Sequence, residues 1–144
     1  MKKLKNWPQK RSIALDTNAL LNYRLERKPY FQEVKRAFEL CLNGKKEIFI
    51  PGPVFLECEW VLRSYYKQSK DQIIKFFQEL LLLDGVILKD KKDLELALNL
   101  YKSSSGISFT DCVILNQIQS FGPDEFLTFD ENLKKIYKED YQQN

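Results

Sequence analysis

Four acidic side chains stand where an α/β fold with a parallel sheet could bring them together: Asp16, Glu57, Asp111 and Asp130. The chain has no histidine, so carboxylate oxygens are its main candidates for holding a metal ion. Carboxylates suit hard divalent cations such as Mg²⁺ or Mn²⁺, and such a cation can neutralise a phosphodiester and activate water. The four acids therefore indicate a metal-dependent nuclease.

Apolar runs and helical periodicity predict that strands alternate with helices along the chain. The apolar runs predict four strands, at 12–16, 47–51, 85–88 and 125–128. The helical pattern predicts six helices, at 30–42, 54–67, 71–83, 90–103, 108–121 and 132–137. This order favours parallel pairing, so we expect one α/β/α sandwich with a central parallel sheet of four to five strands and helices on both faces.

The predicted fold places the four acids near one edge of the sheet. In open parallel sheets, ligands bind at the carboxyl ends of the strands, near the point where the strand order reverses. Asp16 ends the first predicted strand and Asp130 follows the fourth, while Glu57 and Asp111 lie on helices that could lean over the same edge. We therefore expect the four carboxylates to converge.

Helix capping is the alternative explanation for three of these acids. Asp16 could be the N-cap of a helix after the first strand, because an Asp side chain there accepts backbone N–H bonds. Ser108 and Asp111 have the spacing of a capping box.

Asp130 also stands where a predicted strand turns into a helix. Thr128 and Glu131 beside it have the spacing of a second capping box. Capping alone would therefore explain Asp130 as well as Asp16 and Asp111, and only their convergence favours a shared site.

Glu57 is harder to explain by structure alone. Its neighbours one helical turn away are apolar: Val54, Trp60 and Val61. This pattern predicts that Glu57 points inward, where an unpaired carboxylate is costly and a bound cation would stabilise it. Glu59 has Arg63 four residues on, which predicts a solvated surface ion pair.

Composition predicts one domain in a reducing compartment. The 144 residues are 44% hydrophobic and 13% aromatic, which suffices for one core. The three cysteines, Cys41, Cys58 and Cys112, form no CxxC pair, and without histidine they cannot make the usual zinc sites. We expect Cys58 and Cys112 to point into the core, and an odd cysteine count suits a cytoplasmic protein.

The first twelve residues predict a basic tail, 1–12, ahead of a nuclease domain at 13–144. The tail carries five Lys and Arg and no acid; removing these from 23 leaves 18 basic against 20 acidic side chains. Such a tail could contact nucleic-acid phosphates or simply be solvated. Pro8 and the polar residues after it interrupt any signal-like apolar stretch, and no apolar run is long enough to span a membrane, so we expect a soluble chain.

A set of ordered motifs between residues 13 and 133 resembles the PIN-domain ribonucleases, and among them the VapC-like toxins of prokaryotic toxin–antitoxin pairs. The motifs are LDTN at 15–18 with Leu20 and Leu21, IP at 50–51, VFLECEWVL at 54–62, ALNLY at 97–101, FTDCVI at 109–114 and TFD at 128–130. Each motif is weak by itself, but their order and spacing together are specific.

The resemblance implies an Mg²⁺- or Mn²⁺-dependent endoribonuclease, with the four acids as its catalytic quartet. We expect Asp16 and Asp111 to be direct metal ligands, and Glu57 and Asp130 to act directly or through water. Many relatives carry a further acid where this chain has Ser108, and its loss implies weaker metal affinity or a changed metal preference.

Polar positions and partners also follow from the resemblance. Thr17, Asn18 and Thr128 match residues that orient the site or bind substrate. The implied partners are RNA as substrate, a cognate antitoxin protein and a second copy in a homodimer, with no membrane.

Two other functions fit parts of the pattern. The chain could be a PIN-like scaffold that binds RNA or protein without cutting it. Less readily, it could resemble an aspartyl-phosphate receiver or phosphatase, although Asp16 lacks the acidic partner that such sites need. Basic and aromatic residues after the first motif, including Tyr23, Arg24 and Arg27, could contact substrate or form an amphipathic surface.

Overall fold

Three short parallel strands form the sheet. The computed structural model describes residues 11–141. The strands pair in chain order: β1 (Ser12–Ala14), β2 (Glu47–Phe49) and β3 (Val86–Ile87). Ile48 and Val86 face each other across β2 and β3 and are fully shielded from solvent. Within the described residues β1 pairs on one side only, so it is an edge strand and the strand order does not reverse.

Seven helices surround this sheet in the described residues. Two connect β1 to β2, two connect β2 to β3, and three follow β3: α1 (Thr17–Arg24), α2 (Phe31–Leu42), α3 (Gly52–Ser64), α4 (Lys70–Leu82), α5 (Lys91–Ser103), α6 (Phe109–Phe121) and α7 (Glu131–Tyr141). The six predicted helices are confirmed, with ends shifted by up to four residues. α1 is the helix after the first strand for which Asp16 was the candidate N-cap.

The predicted fourth strand is wrong, and so is the expected sheet of four to five strands. Residues 125–128 are not in a strand, and the described part of the chain has three strands. The segment packs on a helix instead, because the Phe126 ring lies 4.9 Å from that of Tyr137 in α7. Leu127 is 75% exposed and Phe129 is 89% exposed, so their apolar character does not reflect burial against a sheet.

Aromatic packing fixes the helices that carry two of the four acids. The fully buried rings of Phe55 in α3 and Phe77 in α4 lie 5.2 Å apart, and Phe77 lies 5.8 Å from Phe109 in α6. Such aromatic pairs contribute about 0.5–1.5 kcal/mol each beyond the burial of their area. Phe55 precedes Glu57 by two residues and Phe109 precedes Asp111 by two, so this cluster positions both acids.

Residues 1–10 of the predicted basic tail, and residues 142–144, lie outside the described residues. β1 begins at Ser12, immediately after that undescribed stretch and Arg11. None of the helices within 11–141 is long and apolar enough to cross a membrane.

Candidate active site

Asp16 joins β1 to α1. It lies two residues beyond the last residue of β1 and is the N-cap of α1, where its Oδ1 accepts a hydrogen bond from the Ala19 N–H at 2.8 Å. The capping explanation for Asp16 is therefore realised. Its side chain is exposed, and within residues 11–141 the second carboxylate oxygen has no hydrogen bond.

Thr17 connects Asp16 to Glu57. The Thr17 hydroxyl donates a hydrogen bond of 2.8 Å to Glu57 Oε2, which joins the start of α1 to the middle of α3. The packing of α1 against α3 makes this bond possible between residues that are 40 positions apart. Two of the four acids thus lie on neighbouring helices with one polar side chain between them.

The prediction that Glu57 points inward is wrong, because Glu57 is exposed and its neighbour Trp60 is 60% exposed. The inward acid of α3 is Glu59, which is 2% exposed. The buried face of α3 runs along Phe55, Cys58 and Leu62, and Glu59 is four residues after the first and three before the last. The prediction took Trp60 as part of the buried face because it is apolar, but its side chain is exposed.

Two donors hold the buried carboxylate of Glu59. Arg63 Nε donates to its Oε1 at 2.7 Å, and the Tyr101 hydroxyl donates to the same oxygen at 3.0 Å. The predicted pairing of Glu59 with Arg63 occurs, but one end of the pair is buried rather than solvated. Burial, followed by the negative charge of Glu59, raises the pKa of Tyr101 to about 12. The hydrogen bond to Glu59 is the largest influence raising the pKa of Arg63.

Asp111 belongs to a capping box at the start of α6. Ser108 Oγ accepts from the Asp111 N–H at 3.0 Å, and Asp111 Oδ2 accepts from the Ser108 N–H at 3.1 Å. This predicted box is confirmed. The Asp111 side chain is half-buried, and its Oδ1 has no hydrogen bond within the described residues.

Asp130 caps α7. Its Oδ1 accepts from the Leu133 N–H at 3.0 Å, and its own N–H donates to Thr128 Oγ1 at 3.2 Å. The predicted capping box of Thr128 with Glu131 is wrong, because Asp130 itself occupies the capping position. Thr128 instead stabilises the turn that presents Asp130.

The starts of α6 and α7 are tied together by a neighbouring contact. Asn132 in the first turn of α7 donates to the carbonyl of Gly106, in the loop just before α6, at 3.3 Å. Gly106 has φ of +80°, which is strained for other residues, and an added Cβ would lie 3.3 Å from the Asn132 amide nitrogen. The loop that leads into α6 is therefore anchored beside the first turn of α7, which Asp130 caps.

Asn18 is oriented by its own helix. The buried Asn22, one turn later in α1, donates a hydrogen bond from its amide to Asn18 Oδ1. This leaves the Asn18 amide nitrogen without a hydrogen bond in the described part of the chain. Asn18 is exposed, so its N–H groups are accessible to a ligand.

The basic residues at the end of α1 make internal contacts. Arg24 donates to Gln68 and lies over the Phe76 ring at 4.7 Å, and Arg27 donates to the Tyr66 hydroxyl at 2.8 Å. Tyr23 stacks on Phe31 and Phe38. These contacts hold α1 against the rest of the fold.

The cysteines beside the acids point into the core, as predicted. Cys58 and Cys112 are both 0% exposed. Burial, with the negative charges of Glu57 and Asp16, raises the pKa of the Cys58 thiol to about 12. Burial is also the largest cause that raises the pKa of the Cys112 thiol to about 12, and nearby Lys70 opposes it. Neutral, buried thiols are poor metal ligands at pH 7.

The four carboxylates offer the oxygen donors that a hard divalent cation prefers. Each holds one oxygen in a hydrogen bond within the protein and leaves the other uncommitted among the described residues. The expected convergence is incomplete, however, because no three His, Cys, Asp or Glu side chains within 11–141 are grouped closely enough to hold a metal ion. The donor chemistry fits Mg²⁺ or Mn²⁺. Thr17 links the Asp16 position to Glu57, and the contact of Asn132 with Gly106 ties together the segments next to Asp111 and Asp130, so the described residues form no closed cluster.

Sequence comparison identifies the family to which this chain, with its acidic residues at helix starts, belongs. The PIN domain family model matches residues 13–139, so the chain belongs to the PIN-domain family, whose fold is an α/β/α sandwich. The protein named VapC ribonuclease from Aquifex aeolicus (strain VF5) is 24% identical over 122 residues, which span 85% of this chain and 90% of that protein. No solved structure gives a significant match.

Proposed function

We propose that this protein is a metal-dependent endoribonuclease and the toxin of a prokaryotic toxin–antitoxin pair. The observation that carries the proposal is the uncommitted oxygen on each of the four carboxylates, in a chain of the PIN-domain family. A relative named VapC ribonuclease that aligns over 90% of its own length supports a nuclease of this type.

A bound Mg²⁺ or Mn²⁺ would neutralise phosphate charge and lower the pKa of a water molecule. Asp16 and Asp111 are the proposed direct ligands, with Glu57 and Asp130 acting directly or through water. The protein's own task is to hold these carboxylates in position. Three of them are fixed by backbone N–H groups at helix starts, where the helix dipole also favours negative charge. Glu57 is fixed by Thr17.

Thr17, Asn18 and Thr128 have orienting roles in this proposal. Thr17 orients Glu57 and Thr128 stabilises the turn at Asp130, as their hydrogen bonds indicate. Asn18 presents its amide N–H groups toward substrate. The chain has no histidine, so in this proposal water and the carboxylates transfer protons.

The proposed partners follow from the toxin assignment. They are RNA, a cognate antitoxin protein and a second copy of the chain in a homodimer. Exposed apolar side chains near the C-terminal end, including Phe121 at 84% and Phe129 at 89%, offer surface for such protein contacts. A cytoplasmic location agrees with three cysteines that form no disulfide.

Two alternatives make different predictions. A PIN-like scaffold would bind RNA or protein and leave RNA intact. An aspartyl-phosphate protein would become labelled at Asp16 by a small phosphodonor, and the family match over 13–139 gives that alternative little support.

RNA cleavage with Mg²⁺ or Mn²⁺ tests the proposal. We expect wild-type protein to cut a structured RNA, and Asp16→Asn and Asp111→Asn each to lower kcat/KM more than the roughly 10–100-fold that loss of an outer-shell partner costs. Asp124→Asn, at an exposed loop acid, is the matched control and should keep wild-type activity. Each Asn variant retains an oxygen that can accept the capping hydrogen bond, so thermal unfolding should change little.

Equal cleavage by wild type, Asp16→Asn and Asp111→Asn would overturn the assigned site. RNA binding without cleavage in either metal would favour the scaffold. Calorimetric titration with Mn²⁺ adds an independent measurement, because binding should weaken in both site variants and not in Asp124→Asn.

A further inference from the structure

A groove runs from Asp16 along the space between α1 and α2, and we call it the α1–α2 groove. Its volume is about 700 Å³, within the ~300–1,000 Å³ of typical ligand clefts. Residues of β1, α1, α2 and the turn before β2 line it. Besides the buried Asn22, its polar and aromatic members are Asp16, Asn18, Tyr30, Glu33, Arg36 and Lys46.

Two cations line this groove together with Asp16. Arg36 is exposed on α2, and Lys46 is half-buried just before β2. Within residues 11–141 neither side chain has a salt bridge or a hydrogen bond with another residue. Both are therefore available to an anionic ligand that enters the groove.

Tyr30, the N-cap of α2, adds an exposed aromatic ring to the groove. Glu33 and Arg36 follow it at intervals of three residues, and all three side chains line the groove. The Tyr30 side chain is 59% exposed, and within the described residues its ring packs against no other aromatic ring. An exposed ring beside unpaired cations is the combination that single-stranded nucleic acids use, through base stacking and phosphate contacts.

We propose that the α1–α2 groove holds the stretch of single-stranded RNA that adjoins the scissile phosphate. The Tyr30 ring stacks on one base of this RNA. Arg36 and Lys46 contact the phosphates on either side of that base. This assignment rests on the proposed nuclease function, because the groove leads to Asp16. To the proposed nuclease it adds a binding track for the substrate and the residues that determine the affinity for RNA.

The other polar members of the groove agree with this occupant. The Asn18 side-chain oxygen accepts a hydrogen bond from Asn22, so its amide N–H groups are available to an RNA strand that extends along the groove to Asp16. Glu33 would repel a phosphate, so the backbone must pass on the Arg36 and Lys46 side while Glu33 accepts from a base amino group. The groove is thus divided between base contacts and phosphate contacts.

A binding experiment in EDTA separates the track from catalysis. The probe is a labelled 12-nucleotide single-stranded RNA of mixed sequence, and fluorescence anisotropy gives the Kd at several salt concentrations. We expect Arg36→Ala with Lys46→Ala to raise the Kd at least about tenfold and to lower the salt slope by about 1.4, that is about 0.7 for each lost phosphate contact. Thermal unfolding checks that this double variant folds.

The control removes two neighbouring charges that do not line the groove. Lys35→Ala with Lys45→Ala lowers the net charge equally, and both residues are exposed. We expect less than a twofold change in Kd for this pair. Tyr30→Ala should raise the Kd at least about fivefold. Tyr30→Phe should bind RNA like wild type, because phenylalanine keeps the aromatic face on which a base stacks.

The outcomes distinguish this inference from the proposed function. If wild type cuts RNA but both charge pairs weaken binding equally, the groove track is overturned and the nuclease stands. If wild type binds with the expected groove dependence but never cuts, the nuclease fails and the track stands as an RNA-binding site. Unchanged RNA binding in every groove variant, as a protein occupant would give, overturns the track.

Discussion

Glu57 and Glu59 are two residues apart in α3, yet their surroundings give them different tasks. Glu57 is exposed and held by one hydroxyl, that of Thr17, so its carboxylate is accessible to a metal or substrate. Glu59 is 2% exposed and held by Arg63 and Tyr101, so it connects α3 to α5. A buried charge requires such partners, whereas an exposed one does not.

Replacing each acid by its amide should therefore separate stability from activity. Glu59→Gln removes the buried charge opposite Arg63 but can keep the bond from Tyr101, so we expect it to lower the free energy of unfolding by about 1–3 kcal/mol. Glu57→Gln should change that free energy by less than about 0.5 kcal/mol, as exposed substitutions usually do. Urea unfolding measures both.

RNA cleavage should show the opposite order. Glu57→Gln should lose most activity while staying folded, and Glu59→Gln should retain activity at temperatures where it is folded. A Glu59→Gln protein that is fully stable, or a Glu57→Gln protein that is fully active, would contradict this division of roles.

At the scale of elements, the start of α6 combines helix capping with site positioning. Ser108 and Asp111 hold each other through two hydrogen bonds with backbone N–H groups. α4 begins with the same device, formed by Ser69 and Gln72. The two helices therefore provide a matched pair of capping boxes, of which only one contains a proposed metal ligand.

We expect Ser108→Ala and Ser69→Ala to destabilise the protein similarly, by about 0.5–2 kcal/mol each. Ser108→Ala should also lower kcat/KM at a temperature where the protein is fully folded, because Asp111 loses part of what orients it. Ser69→Ala should not. Calorimetry and cleavage rates on the same samples provide the comparison, and equal losses of activity would show that only global stability had changed.

The sequence predicted helices best where an apolar stripe repeats with the 3.6-residue period, as Val34, Phe38 and Cys41 do in α2. It failed at the fourth strand, predicted at 125–128, where Leu127 looks like a buried strand residue but is exposed. It also failed at Glu57, since Trp60 was counted as part of a buried face. In both cases apolar type was equated with burial, which depends on distant partners such as Tyr101, 42 residues from Glu59.

The local roles of the acids at helix starts were easier to predict than the contacts that bring the acids near one another in the fold. Asp16 as the N-cap of α1 and Asp111 in its capping box follow from local sequence signals. The link from Thr17 to Glu57 spans 40 residues, and the link from Asn132 to Gly106 spans 26. Such contacts depend on how helices pack, which no local pattern determines.

At the scale of the whole molecule, the buried Tyr101 should make stability depend on alkaline pH. It is 4% exposed and faces the charges of Glu59, Arg63 and Lys70, whose ammonium lies 4.4 Å from the Tyr101 ring centre. Burial and Glu59 raise the pKa of Tyr101 from 10.0 to about 12, and Cys112 adds a smaller effect in the same direction. The folded protein therefore keeps the phenol proton at a pH where the unfolded chain has released it.

The sign follows from this difference in bound protons. Because the folded pKa is the higher one, the contribution of the Tyr101 proton to stability is complete below about pH 10 and is lost as the pH rises toward 12. Lysines and cysteines also titrate in this pH range. The effect of Tyr101 is therefore measured as the difference in unfolding free energy between wild type and a variant. The gap in unfolding free energy between wild type and Tyr101→Phe should stay constant from pH 7 to 9.5 and shrink between pH 10 and 12. Tyr65→Phe, at a 75% exposed ring, should match wild type throughout, and a constant Tyr101→Phe gap up to pH 12 would show that the phenol titrates alike in both states.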